Sequence, residues 1–216
     1  MTLEQTLPDP PPIGELRTIG IRRNELRTVR RSETWWRVHR TADAHVLAWN
    51  EFRICGPLLR FDPHPEPVGE HPGHQVWYGG SVPGAALAEA FQKDRTIDRT
   101  RGAPYLTGVR FTRNLHLLDV ATDSVGAWPT RAGGNFAMST AAHAITQRWA
   151  RAIVGAFPDL DGIRYNSRFA GQASVALFGP AASALNDRPT SSQPLSHPGL
   201  AKRIAGVAER VGFAMI

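Results

Sequence analysis

Five polar residues each interrupt an otherwise apolar local pattern: Arg37, Arg60, Tyr78, Glu89 and Ser167. Burying such groups is costly unless they meet partners or a ligand. Two guanidiniums, a phenol, a carboxylate and a hydroxyl are a set suited to holding an anionic ligand beside one acid. Taken singly, Glu89 reads as a solvated helix carboxylate and Arg37 as a sheet-edge charge. The set reads as a pocket.

The elements that must position these residues follow from local periodicity. Trp35-Trp36-Arg37-Val38-His39 alternates as a strand, which puts Arg37 on the face of Trp35 and His39. Val76-Trp77-Tyr78 is a short aromatic strand ending at Gly79-Gly80, after which Ser81 is expected to cap a helix starting at Val82. On that helix Val82, Ala85, Ala86 and Glu89 share one face, so the carboxylate projects from a stripe of small side chains that leave room beside it. Asp161 to Ser167 reads as a further strand. Ile163, Tyr165 and Ser167 face inward on it, and Arg164 and Asn166 face away.

In this order the segments resemble the RES domain, a bacterial family named for its Arg, Glu and Ser. The matching pieces are WWRV around Arg37, LLRFDP around Arg60, VWYGGSVPGAALAEAF around Tyr78 and Glu89, TQRWARAIVGAFPDLDGIRYNSR ending at Ser167 and Arg168, and ASVALF. The resemblance runs from about Trp35 to about Phe178 and includes the eleven-residue step from Tyr78 to Glu89. One departure is the turn Arg60-Phe61-Asp62, where the family usually has an Arg-Trp-Asn-like turn. A longer Pro- and His-containing loop follows it here.

The resemblance implies an α+β fold related to ADP-ribosyltransferases, a single domain with a central mixed, split β-sheet flanked by helices. It also implies consumption of NAD, often as the toxin of a toxin and antitoxin pair, so that NAD as substrate and a cognate antitoxin are the expected partners. Carried onto this chain, the catalytic residues are Glu89, Ser167 and Arg37, and Arg37, Arg60, Tyr78 and Ser167 bind the dinucleotide. Cleaving the bond between nicotinamide and ribose builds positive charge on the sugar, as glycoside cleavage does. Glu89 suits that charge, the arginine forks suit pyrophosphate, Tyr78 suits stacking on nicotinamide, and Ser167 suits orienting Glu89 or a substrate hydroxyl. The acceptor of ADP-ribose stays open among water, phosphate and a protein side chain. The alternative from another class is a non-catalytic module that binds nucleic acid or a protein partner.

Composition sets the bounds of that reading. The chain has 216 residues, is 42% hydrophobic and carries a formal net charge of +6, which fits one globular core and an anionic partner. Cys55 is the sole cysteine, so no internal disulfide and no cysteine metal site is expected. No apolar run is long enough to span a bilayer and no leader pattern is present, so a cytoplasmic protein without membrane contact is expected. Whether it forms a homodimer is open.

Along the chain, residues 1–13 are expected to be a disordered Pro-rich tail, 14–33 a basic segment of one or two short helices, and 34–216 the RES-like catalytic domain. Arg22, Arg23, Arg27, Arg30 and Arg31 lack interleaved aromatics, which disfavours nucleic acid. Strands are expected at Tyr105 to Phe111 and Leu115 to Val120. A helix is expected from Ser139 to Phe157, a loop over Asn186 to His197, and a last helix from Gly199 to Val211. Gly79-Gly80 and Gly84 lack dinucleotide-loop spacing. The loop with His64, Glu66, Glu70, His71 and His74 reads as exposed and mobile, and no metal is expected.

Overall fold

The computed structural model describes residues 6–216. Helix α1 (Ile13–Ile19) leads to strands β1 (Leu26–Val29) and β2 (Trp35–Arg40). The short strands β3 (Cys55–Gly56) and β4 (Gly69–Glu70) precede β5 (Val76–Gly80) and helix α2 (Pro83–Phe91). Strands β6 (Thr96–Ile97), β7 (Pro104–Val109) and β8 (Leu115–Asp119) follow, then helices α3 (Trp128–Arg131) and α4 (His143–Ala156). The chain continues through β9 (Gly162–Asn166), β10 (Ala173–Phe178) and β11 (Ser191–Pro194) to helix α5 (Ala201–Val211) and β12 (Ala214–Met215).

Eight strands form one mixed sheet in the order β1-β8-β9-β10-β5-β2-β7-β11, in which only β8 and β9 run parallel. The sheet is split near its middle. β2 and β5 meet only through Trp36 and Gly80, whereas β2 pairs with β7 along its whole length. Period-two alternation then sorts side chains to two faces. Val76 and Tyr78 face the core under α4, together with Ile163, Tyr165 and Ala176, and Trp77 faces the opposite core with Trp35 and Val175. Beyond the split, Trp36, Val38 and Leu106 pack against α2 and α5. Two helical layers therefore cover one side of the sheet, with a gap between them at the split.

Buried indole N–H groups find backbone acceptors, as they must in an apolar core. Trp149 donates to Pro8 O at 2.7 Å, Trp128 to Gly20 O at 3.1 Å and Trp77 to Trp49 O at 2.8 Å. Helix α4 buries Trp149, Ala152, Ile153 and Ala156, the face that its periodicity marks, and α5 buries Ile204 and Val207. Gly80 allows α2 to lie directly on β5. A Cβ there would stand 2.6 Å from Ala86 N and 2.8 Å from Ala85 Cβ.

Several expectations are corrected. Of the tail, residues 1–5 lie outside the described residues, but Leu7 is buried in the core around α4, Pro8 O accepts from Trp149 and Asp9 pairs with Arg148. The basic segment supplies α1 but ends in a strand, because β1 adds to β8 as the sheet edge. Ser81 does not cap α2. The helix starts at Pro83, which needs no N–H bond there, and Ser81 N donates instead to Ala173 O at 2.8 Å. α4 starts at His143 after a 3-10 turn at Phe136–Ser139. Within the expected loop 186–197, Ser191–Pro194 pairs with β7 and closes the sheet as its last strand, a place where Pro194 is tolerated. His64 is fully buried, its ring against Gly56 and its Nε2 3.3 Å from Arg53 O, while His74 remains exposed. Among the described residues no helix is long and apolar enough to cross a membrane.

Candidate active site

Where β2 and β5 diverge, a cleft opens to solvent. Its walls come from four sources: Trp36 and Arg37 on β2, Tyr78 and Gly79 on β5, Ala86 and Glu89 on α2, and Leu59 and Arg60 from the turn before Asp62. Tyr165 of β9 and His143 at the start of α4 close the far side. The split thus brings Arg37, Arg60, Tyr78 and Glu89 to one space, although they lie on separate elements. Ser167 directly follows β9, is buried, and accepts a hydrogen bond from Ala170 N at 3.3 Å.

Glu89 is the acid of this space. The small residues Ala85, Ala86 and Ala88 let α2 sit close to the sheet, which carries the carboxylate inward. Burial pushes its carboxyl above the usual range, while Ser167, Arg60, Tyr165 and Arg168 oppose the rise. Burial, with Glu89 adding to it, pushes the Tyr165 phenol well up, so Tyr165 stays protonated. Ser167 thus lies near enough to Glu89 to oppose the rise, and among the described residues it makes no hydrogen bond to a histidine.

Among the described residues, neither Arg37 nor Arg60 forms an ion pair with a carboxylate. Arg37 donates to Trp49 O at 3.4 Å and Glu51 O at 2.9 Å, and its guanidinium lies over the Trp77 ring at 5.4 Å. Burial, then the charge of Arg53, pulls it down to about 9, so it remains a cation at neutral pH. Arg60 is only 8% exposed and donates to Ala141 O; burial lowers it too. Two desolvated guanidiniums with only carbonyl partners leave donor capacity and positive charge for an anion. Arg53 also lines the cleft but is bound to Asp62 through its Nη2, at 2.6 and 2.8 Å.

Tyr78 does not offer a free hydroxyl. It donates to Asp62 Oδ1 at 2.8 Å and accepts from Phe61 N at 3.1 Å, so it presents its ring to the cleft. Tyr165, Arg53 and His143 are cleft residues that the sequence reading did not assign to the site. The signal for Tyr165 was present, since it shares the inward face of its strand with Ser167. Arg53 and His143 sit at a bridge and a helix start, where no periodicity marks a side chain's direction. Among the described residues no group of three or more His, Cys, Asp or Glu is placed to hold a metal.

The family model of the RES domain matches residues 34–197, about three quarters of the chain. The chain belongs to the RES domain family. The match takes in all five residues from Arg37 to Ser167 and leaves out α1, β1 and α5. Among solved structures, the chain is similar to one in the crystal structure of the M. tuberculosis MbcT-MbcA toxin-antitoxin complex. The TM-score is 0.50 at 18% identity, covering 83% of this chain and 92% of that one. At that identity the likeness is one of fold, the α+β architecture with a mixed central sheet. No significant match is found among curated proteins.

Proposed function

We propose that this RES-domain protein cleaves the bond between nicotinamide and ribose in NAD and passes ADP-ribose to water or phosphate. The observation that carries this reading is a desolvated carboxylate, Glu89, lining an open cleft, with Arg37 and Arg60, which form no ion pair among the described residues, lining the same cleft. The family membership supports it, since RES domains resemble NAD-consuming toxins. The reading extends to a toxin-like role with an antitoxin as protein partner, by analogy with the toxin-antitoxin pair of the M. tuberculosis complex.

The chemistry follows from these residues. Arg37 and Arg60 bind the pyrophosphate through charge and planar forks. The Tyr78 ring stacks on nicotinamide and holds the dinucleotide in a reactive pose. As the bond from ribose C1′ to nitrogen breaks, its electron pair leaves with nicotinamide and neutralises the ring charge. The sugar becomes cationic, and Glu89 stabilises it and accepts from a ribose hydroxyl. Ser167 and Tyr165 keep Glu89 oriented and ionised. An oxygen nucleophile then bonds to C1′ and releases its proton to solvent.

The test is to incubate the purified protein with NAD, with and without phosphate, and to identify products by mass spectrometry. Release of nicotinamide with ADP-ribose, or with its phosphorylated form, is expected. Undiminished NAD at high protein concentration overturns the reading. A salt-sensitive complex with nucleic acid in place of NAD loss would favour a binding module.

A further inference from the structure

Asp62 is a fully buried carboxylate in the turn that carries Arg60. Its two oxygens are saturated with donors. Oδ1 accepts from Arg53 Nη2 at 2.6 Å and from the Tyr78 hydroxyl at 2.8 Å. Oδ2 accepts from Arg53 Nη2 at 2.8 Å, from Leu58 N at 2.6 Å and from Leu59 N at 2.9 Å. We propose that Asp62 is the positioning residue of the cleft, fixing Arg60 and Tyr78 relative to each other for the dinucleotide. This rests on the NAD reading of the site.

Arg60 lies between Leu59, whose amide Asp62 holds, and Asp62 itself, so the turn cannot re-aim Arg60 while these bonds persist. Gln147 of α4 donates to Leu59 O at 3.0 Å, and Arg60 donates to Ala141 O just before α4, which secures the turn from its other side. Tyr78 comes from β5, and its hydroxyl bridges Asp62 and the Phe61 amide. The Phe61 ring in turn packs on Tyr165 with centroids 4.9 Å apart. One carboxylate therefore links a strand, a turn and, through Phe61, the strand that leads to Ser167. It also occupies Arg53, which leaves Arg37 and Arg60, of the arginines that line the cleft, for an anion.

The charge of Asp62 matters as much as its shape. In Asp62→Asn, the amide orientation that still accepts from Leu58 N and Leu59 N turns its NH₂ toward Arg53 and Tyr78. Arg53 then loses its two-oxygen grip, and Tyr78 must accept where it donated. The turn persists, but its link to β5 loosens.

The test combines kinetics with hydrogen exchange. Asp62→Asn is expected to raise KM for NAD about tenfold with a smaller change in kcat, the scale of effect seen when support around a site is lost. Tyr78→Phe, which keeps the ring, is expected to raise KM about threefold, and the double variant to be no worse than Asp62→Asn alone. Independently of activity, the Phe61 amide is expected to exchange faster in both Tyr78→Phe and Asp62→Asn, with the Leu58, Leu59 and α5 amides unchanged. A wild-type KM in Asp62→Asn, or additive effects in the double variant, overturns the proposal. If Asp62→Asn fails to fold, Tyr78→Phe alone decides: unchanged KM together with unchanged exchange at Phe61 overturns it. A wild-type protein that consumes no NAD sinks the functional reading, and the exchange measurements still judge the Asp62 link.

Discussion

The site holds two carboxylates, Asp62 fully buried and Glu89 half-buried, and their surroundings differ. Asp62 is surrounded by four donor groups, the side chains of Arg53 and Tyr78 and the amides of Leu58 and Leu59, and faces no open space. Glu89 lies on a helix stripe of alanines and faces the cleft, with burial raising its carboxyl against the help of Ser167 and Arg60. A carboxylate whose lone pairs are filled by the protein holds structure. One left short of partners beside a void holds capacity for something that arrives. The arginines divide the same way: Arg53 is committed to Asp62, and Arg37 and Arg60 have carbonyl partners only. Burial alone does not mark function; the unfilled hydrogen-bonding capacity does.

The contrast between the two acids is most exposed to test at Glu89. Glu89→Gln preserves shape and removes the charge, and NAD turnover is expected to fall on the order of a hundredfold or more. Its Tm is expected to equal or exceed that of the wild type. Because the folded carboxyl is raised, ionised Glu89 costs stability above its folded pKa, and that cost shrinks as pH falls below it and is gone below the unfolded value; the amide removes the cost at neutral pH. Thermal unfolding followed beside turnover separates this from Asp62→Asn, for which both KM and Tm are expected to worsen.

Next in size are the guanidiniums. Arg37→Lys and Arg60→Lys keep charge but lose the fork, and NAD affinity by calorimetry is expected to fall about tenfold in each, on the scale of 1–2 kcal/mol for a lost charge-assisted bond. Affinity equal to the parent in both variants would place these arginines outside the site.

The pH profile extends the contrast to Ser167. If Glu89 works ionised, the acid limb of kcat/KM lies above the ordinary carboxylate range. In Ser167→Ala a group that lowers the Glu89 pKa is gone, so the limb is expected to move to higher pH, with activity lost sooner on acidification. A limb that does not move would leave Ser167 a packing residue. The smallest effect belongs to the far edge of the sheet. Arg22, Arg23, Arg30 and Arg31 are exposed and none lines the cleft, so changing all four to Gln is expected to leave NAD cleavage unchanged in the same assay.

Much of this arrangement was legible in the sequence because it rests on periodicity. The helix face of Val82, Ala85, Ala86 and Glu89, the inward row Ile163, Tyr165 and Ser167, and the buried stripe of α4 all follow from local spacing. What was not legible depends on contacts between distant segments. β1 and β11 are strands because β8 and β7 offer them edges, not because their own residues demand it. Leu7 is buried because it joins the core that α4 helps to form, which Pro-rich composition does not reveal. The Arg60 turn departs from the family's usual residues at Asp62. Its order comes from Arg53, Tyr78 and two amides that no local pattern brings together.

On this reading Glu89 is the acid whose charge cleaves NAD, whereas Asp62 acts only through the residues it holds. Nicotinamide release from NAD by wild type, Glu89→Gln and Asp62→Asn, each at saturating and at limiting NAD, separates the two roles in one assay. Glu89→Gln is expected to stay nearly inactive at saturation, and Asp62→Asn to recover most of its kcat there. Full turnover by Glu89→Gln, or an Asp62→Asn variant equally dead at saturation, would refute the division between them.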